Sequence, residues 1–120
     1  MDFAYSPKVC DLQTRLQDFM MNHVMPAHAE WHRQAAEGSY PLELIDDLKA
    51  KARIEDLWNL FLPDLRDDEP GTRLTNLEYA PLAEIMGRVP WSSEVFNCSA
   101  PDTGNMEVLR LFGTPQQKER

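Results

Sequence analysis

Apolar residues recur every three or four positions through the first fifth of the chain. Val9, Leu12, Leu16, Phe19, Met20 and Val24 form one stripe, while Lys8, Asp11, Gln13, Arg15, Gln17 and Asp18 fill the other faces. Ser6 can cap the first free N–H groups and Pro7 suits the first helical position, so the pattern predicts a long amphipathic helix to about His23. Pro26 has no N–H to give and should end or kink it. A second segment, with Trp31 and Ala35 inward, should stop at Gly38, and Leu44, Ile45, Leu48 and Ala52 mark a helix opened by Ser39-Tyr40-Pro41. The run Leu57 to Pro63 is too apolar for a surface loop and must be buried, whereas Asp64 to Arg73 reads as a solvated loop.

Thr75-Asn76-Leu77-Glu78 matches a capping box, and the helix it opens, ending at Gly87, is apolar on more than one face. After a short piece at 92–96, Asp102 is expected to cap a further helix whose Met106, Val108, Leu109, Leu111 and Phe112 also exceed a single stripe before Gly113. Thr114-Pro115 repeats the start signal with only Gln116 to Arg120 behind it, too few residues for a stable helix, so the chain is expected to continue as a longer protein. No alternating strand pattern occurs, and the fold class expected is all-α, a single-domain bundle of about five to six helices over residues 1–120.

Composition then narrows the functions. The chain has 120 residues, 42% hydrophobic and 27% charged, with 20 acidic against 12 basic side chains and a net charge of −8. That is ordinary for one folded domain and short for one that encloses a large cofactor. The acidic excess disfavours nucleic acid, which needs a basic face. With neither a signal peptide nor an apolar run long enough to span a membrane, a cytoplasmic location is expected. Cys10 and Cys98 lie in separate segments without metal or disulfide spacing, and buried free thiols are the expectation.

Candidate chemistry is sparse. His28 and His32 share a helical face in the spacing of a zinc protease, but the glutamate is displaced to Glu30, so solvated histidines are the favoured reading over a metal site. The carboxylates Asp46-Asp47 and Asp67-Asp68-Glu69 lack the burial that acid–base catalysis needs. Trp58, Phe61, Met106 and Phe112 line either a ligand cavity or plain core. No catalytic or metal-binding residue is assigned.

From Phe96-Asn97-Cys98-Ser99-Ala100-Pro101-Asp102-Thr103-Gly104-Asn105-Met106-Glu107-Val108-Leu109, followed by Gly113-Thr114-Pro115-Gln116-Gln117-Lys118, the chain resembles the N-terminal helical domain of the acyl-CoA dehydrogenases, a family of FAD flavoenzymes. Leu57 to Pro63 and Glu78-Tyr79-Ala80 fit the same branch, and the first half agrees in helix layout and in Pro26. Asp56 stands where relatives usually have glycine, so the resemblance implies a left-handed turn held by aspartate. It further implies a parent enzyme that oxidises an acyl-CoA thioester to the trans-2-enoyl-CoA and passes electrons to an acceptor. Its FAD would not be bound by this part alone, its catalytic glutamate would lie in domains beyond Arg120, and its assembly would be a homodimer or homotetramer. Ser99, Ala100, Thr103 and Gly104 would then line the acyl chain, although small residues at a helix mouth equally suit close helix packing. The contrasting expectation is a stand-alone all-α interaction module.

Overall fold

The computed structural model describes residues 4–62, 65–69 and 71–119; Pro63, Asp64 and Arg120, named above, lie outside them, as does position 70 of the expected loop. The described residues form α1 (Pro7–Phe19), a π-helical turn (Met20–Val24), α2 (Met25–Ala36), α3 (Leu42–Ile54), α4 (Asn76–Met86), a short 3₁₀ turn (Ser92–Glu94), α5 (Asp102–Phe112) and α6 (Pro115–Lys118), with no strand among them. The all-α expectation holds.

The helix starts follow the predicted chemistry. Ser6 Oγ accepts from the Val9 amide, and the capping box between Thr75 and Glu78 is complete. Thr114 and Gln117 form a second box at α6, whose residues are all exposed or at the chain end. Asp102 is not a cap: Pro101 occupies that position, and Asp102 is the first residue of α5, where its charge meets the helix dipole. Of the glycine stops, only Gly38 is left-handed, at φ 80°; Gly87 and Gly113 end their helices with negative φ.

Pro26 does not end the first helix. The turn before it widens so that the Met25 N–H reaches the Met20 carbonyl, and the chain runs on into α2. A proline removes one bond to the fourth residue back and crowds that carbonyl; a π-turn loosens the same stretch and absorbs both costs. α2 has no fully buried residue. It is held by Ala27 and Trp31 against the core, by Trp31 stacked on Trp91 at 5.5 Å, and by a hydrogen bond of 3.1 Å from Trp91 Nε1 to His28 Nδ1.

α1 packs along α4, and the stripe predicted for the first helix is buried in full: Val9, Leu12, Leu16, Phe19, Met20 and Val24. Ile45, Leu48 and Ala52 of α3 and Leu82, Ile85 and Met86 of α4 join the same core. Leu57, Leu60 and Phe61 are buried as their run requires. Phe19 and Phe96 meet edge to face at 5.2 Å, both almost fully enclosed. Cys10 departs from expectation: it lies on the outer side of α1 and is exposed, while Cys98 is half-buried. Among the described residues no helix is long and apolar enough to cross a membrane.

Two outcomes follow from this packing. Phe96→Ala, which removes a ring from the centre of the core, is expected to cost about 3–5 kcal/mol in urea unfolding, a large part of a small domain's stability. Glu78 has its carboxyl held below the usual range by the Thr75 N–H and hydroxyl, with the Ser6 hydroxyl and Lys8 adding to the effect. Its folded value is depressed, so its stabilisation is present above the unfolded carboxyl pKa of about 4.3 and lost as pH falls through the folded value. The destabilisation by Glu78→Gln is therefore expected to be largest near neutral pH and to shrink progressively in acid.

Candidate functional site

The segment from Leu57 to Leu62 and the segment from Phe96 to Pro101 are neither helix nor strand, yet both are firmly tied. Asp56, Asn59 and Asn97 have left-handed backbone at φ 53°, 59° and 55°. This region is costly for most side chains and least so for asparagine and aspartate. The turn expected at Asp56 is kept. Across the two segments the Asn59 N–H donates to the Phe96 carbonyl at 3.1 Å, and Asn97 Nδ2 donates to Asn59 Oδ1 at 2.6 Å. The same amide nitrogen donates to Met106 Sδ at 3.2 Å, which reaches into α5. The Cys98 N–H ties the second segment to the 3₁₀ turn by donating to the Ser93 carbonyl at 2.8 Å.

The four predicted wall residues lie together here. Ser99 and Thr103 are half-buried, Ala100 and Gly104 exposed, and the Thr103 N–H donates to the Ser99 carbonyl at 3.2 Å. A Cβ built on Gly104 meets nothing within 4 Å. Within this chain the glycine is therefore not required for close helix packing, and the space beside it is open.

α5 is built inside out. The side chains on its body-facing side are Thr103, Met106, Glu107 and Arg110, all half-buried. Arg110 forms an ion pair of 3.0 Å with Glu69, both with less than a fifth of the side chain exposed. The opposite side exposes Val108, Leu109, Leu111 and Phe112, the last at 79%. Gly104, Val108 and Leu111, spaced by four and three, share one exposed face. α5 has more apolar residues than one stripe needs, and the spacing from Gly104 is the sequence signal for Val108 and Leu111.

The remaining candidates separate. Phe61 is buried in the core, Trp58 is covered by the Arg53 guanidinium 4.1 Å from its ring, Met106 is held by Asn97, and Phe112 is exposed. They do not line one cavity. His28 and His32 do face each other, rings 4.4 Å apart, but His28 Nδ1 accepts from Trp91 Nε1. Among the described residues no three His, Cys, Asp or Glu converge as metal ligands. Asp46, Asp47, Asp67 and Asp68 are exposed. Glu69 corrects the expectation of a wholly solvated loop: the Arg66 N–H and the Arg110 guanidinium hold its carboxyl below the usual range. Cys98, beside the wall residues, is no activated nucleophile, since burial pushes its thiol up despite opposing hydrogen bonds from Tyr79, Phe61 and Leu60.

Comparison with known proteins gives the family. Residues 6–120 match the family model described as acyl-CoA dehydrogenase, N-terminal domain. The chain is 51% identical over 127 residues to the probable acyl-CoA dehydrogenase FadE2 of Mycobacterium tuberculosis, a match covering 98% of this chain and 29% of that protein. It is 50% identical over 119 residues to the mouse (Mus musculus) acyl-CoA dehydrogenase family member 10, covering 96% of this chain and 11% of that one. A solved structure of a putative acyl-CoA dehydrogenase from Mycobacterium abscessus superposes with a TM-score of 0.78 at 44% identity, over 97% of this chain and 30% of its own. The chain thus spans less than a third of the length of these relatives, and it belongs to the acyl-CoA dehydrogenase family, matching the family's N-terminal helical domain.

Proposed function

We propose that this chain is the N-terminal part of an FAD-dependent dehydrogenase that oxidises an acyl-CoA thioester to the trans-2-enoyl-CoA. Its role there is to form one wall of the acyl pocket; it is not catalytic alone. The observation that carries the reading is the inverted helix α5. A helix that directs Arg110 inward and Val108, Leu109, Leu111 and Phe112 outward leaves an apolar face that calls for a cover. Relatives several times longer than this chain supply the candidate for that cover, the remainder of a dehydrogenase.

The division of labour follows from what each residue offers. Ser99, Ala100 and Gly104, with the open space beside the glycine, are read as the bed for the acyl chain, and half-buried Thr103 as its flank. Val108 and Leu111 continue the Gly104 face along the helix, so an alkyl chain laid there would lose water along its length, at about 25 cal/mol for each Å² of apolar surface removed. The flavin, when bound, supplies the acceptor for the hydride leaving the β-carbon. The described face around α5 is apolar, which fits beside an acyl chain or a ring edge and does not grip a pyrophosphate. The charged contacts to the cofactor and the carboxylate base are accordingly assigned to the rest of the parent enzyme. The parent is read as a homodimer or homotetramer, working in the cytoplasm.

Two experiments test this. The full-length protein carrying this domain is expected to purify with flavin and to reduce an electron acceptor in the presence of acyl-CoA. Thr103→Leu, which fills the flank of the bed, should lower kcat/KM for long chains more than for short ones, by about tenfold. A flavin-loaded parent inert towards every acyl-CoA would remove the substrate reading. The 120-residue chain by itself is expected to bind no FAD and to self-associate through α5. Phe112→Glu should shift its elution in size-exclusion chromatography towards the monomer, and stoichiometric FAD binding by the monomer would contradict the assignment.

A further inference from the structure

Ser99 and Ala100 sit in the irregular segment that becomes α5, and Thr103 and Gly104 in its first turn, so the place of all four depends on how the start of α5 is held. The amide of Asn97 contacts three pieces of chain at once. It belongs to the 96–101 segment, donates to Asn59 Oδ1 at 2.6 Å in the 57–62 segment, and donates to Met106 Sδ at 3.2 Å in α5. An asparagine NH₂ carries two hydrogens, and each has an acceptor here. Asn59 returns the contact through its own N–H, which donates to the Phe96 carbonyl at 3.1 Å.

The left-handed backbone at Asn59 and Asn97 would suit glycine as well or better. Glycine would supply no amide, so the side-chain bonds are what distinguishes the asparagines. Met106 lies one helical turn beyond Thr103, and successive helix residues are rotated by about 100°. An amide that holds the thioether of Met106 therefore holds the rotation of α5 about its axis. A turn of a few tens of degrees would swing Thr103 off the flank of the bed and carry the Gly104, Val108 and Leu111 face sideways. The Arg110–Glu69 pair secures the far end of the same side of α5, which leaves the end nearest the wall residues to Asn97.

We propose that Asn97, with Asn59 as its acceptor, is a positioning residue that sets the rotation of α5 and thereby the acyl chain lengths the parent enzyme accepts. The inference rests on the acyl-wall reading above; neither asparagine is assigned a contact with substrate.

The variants separate the amide from the backbone it sits on. Asn97→Gly keeps the left-handed turn and deletes both bonds, Asn59→Gly deletes the acceptor, and Asn59→Asp keeps an acceptor. Met106→Leu keeps the volume and removes the sulfur. In the full-length dehydrogenase, assayed with acyl-CoAs from short to long, Asn97→Gly and Asn59→Gly are expected to shift the chain-length profile of kcat/KM by about tenfold. The change should fall mainly on KM, whereas Asn59→Asp should retain the native profile. Met106→Leu should move it in the same direction by less, and it carries the test if Asn97→Gly does not fold. A profile for Asn97→Gly, or in its place Met106→Leu, that superimposes on the native one overturns the inference. If the native enzyme oxidises no acyl-CoA, the substrate reading fails separately. Amide hydrogen exchange in the 120-residue chain then decides the positioning role: exchange over residues 98–106 should accelerate about tenfold in Asn97→Gly while the buried stripe of α1 is unchanged, and equal rates overturn it.

Discussion

Phe96 joins the hydrophobic core to the surface where the wall residues lie. Its ring is enclosed and meets Phe19 of α1 edge to face. Its carbonyl, on the same residue as that buried anchor, accepts from the Asn59 N–H and from the Cys98 thiol at 3.3 Å. A buried aromatic is among the least movable groups in a small domain, because close packing leaves it no alternative place. The irregular segments at 57–62 and 96–101 are therefore registered against the core and against each other, through Leu57 and Leu60 on one side and Phe96 on the other, and α5 is registered against those segments through the Asn97 amide. Precision at the surface is inherited from burial at the centre.

α5 adds the opposite kind of constraint. Its body-facing side is secured by polar contacts, Asn97 to Met106 and Arg110 to Glu69, while its apolar side chains face outward. Polar contacts fix direction better than they supply stability, since each replaces bonds to water. Exposed apolar area is the reverse: it has no directional preference and gains only when covered. The combination suits a helix held in a set orientation by its own domain and stabilised further by whatever covers it. The first helix shows the usual balance, with every apolar side chain of its stripe inward and its charges outward.

Much of the fold was legible because local chemistry and burial agreed. The cap at Ser6, the capping box at Thr75, the left-handed turn at Asp56 and the buried run from Leu57 each depend on a few neighbouring residues, and the structure keeps all four. The departures have different origins, two of them in neighbouring residues and one in a distant partner. Pro26 does not end the helix, because the π-turn before it carries the chain on into α2. Asp102 was expected to cap α5, and Pro101 took the place. Glu69 looked like one more solvated carboxylate until Arg110, remote in sequence, drew it in.

The sequence by itself determined the all-α class, the core stripe of α1 and, through the resemblance of residues 96–118, the family. Those features follow from spacing, capping and residue identity, which act over a few positions along the chain. Only the tertiary structure decided which side of α5 faces solvent, that Gly104 borders open space, and that Asn59 and Asn97 meet. An apolar-rich helix can satisfy the same spacing in either rotation, and the choice is made by contacts with residues about forty positions away, Glu69 to Arg110 and Asn59 to Asn97.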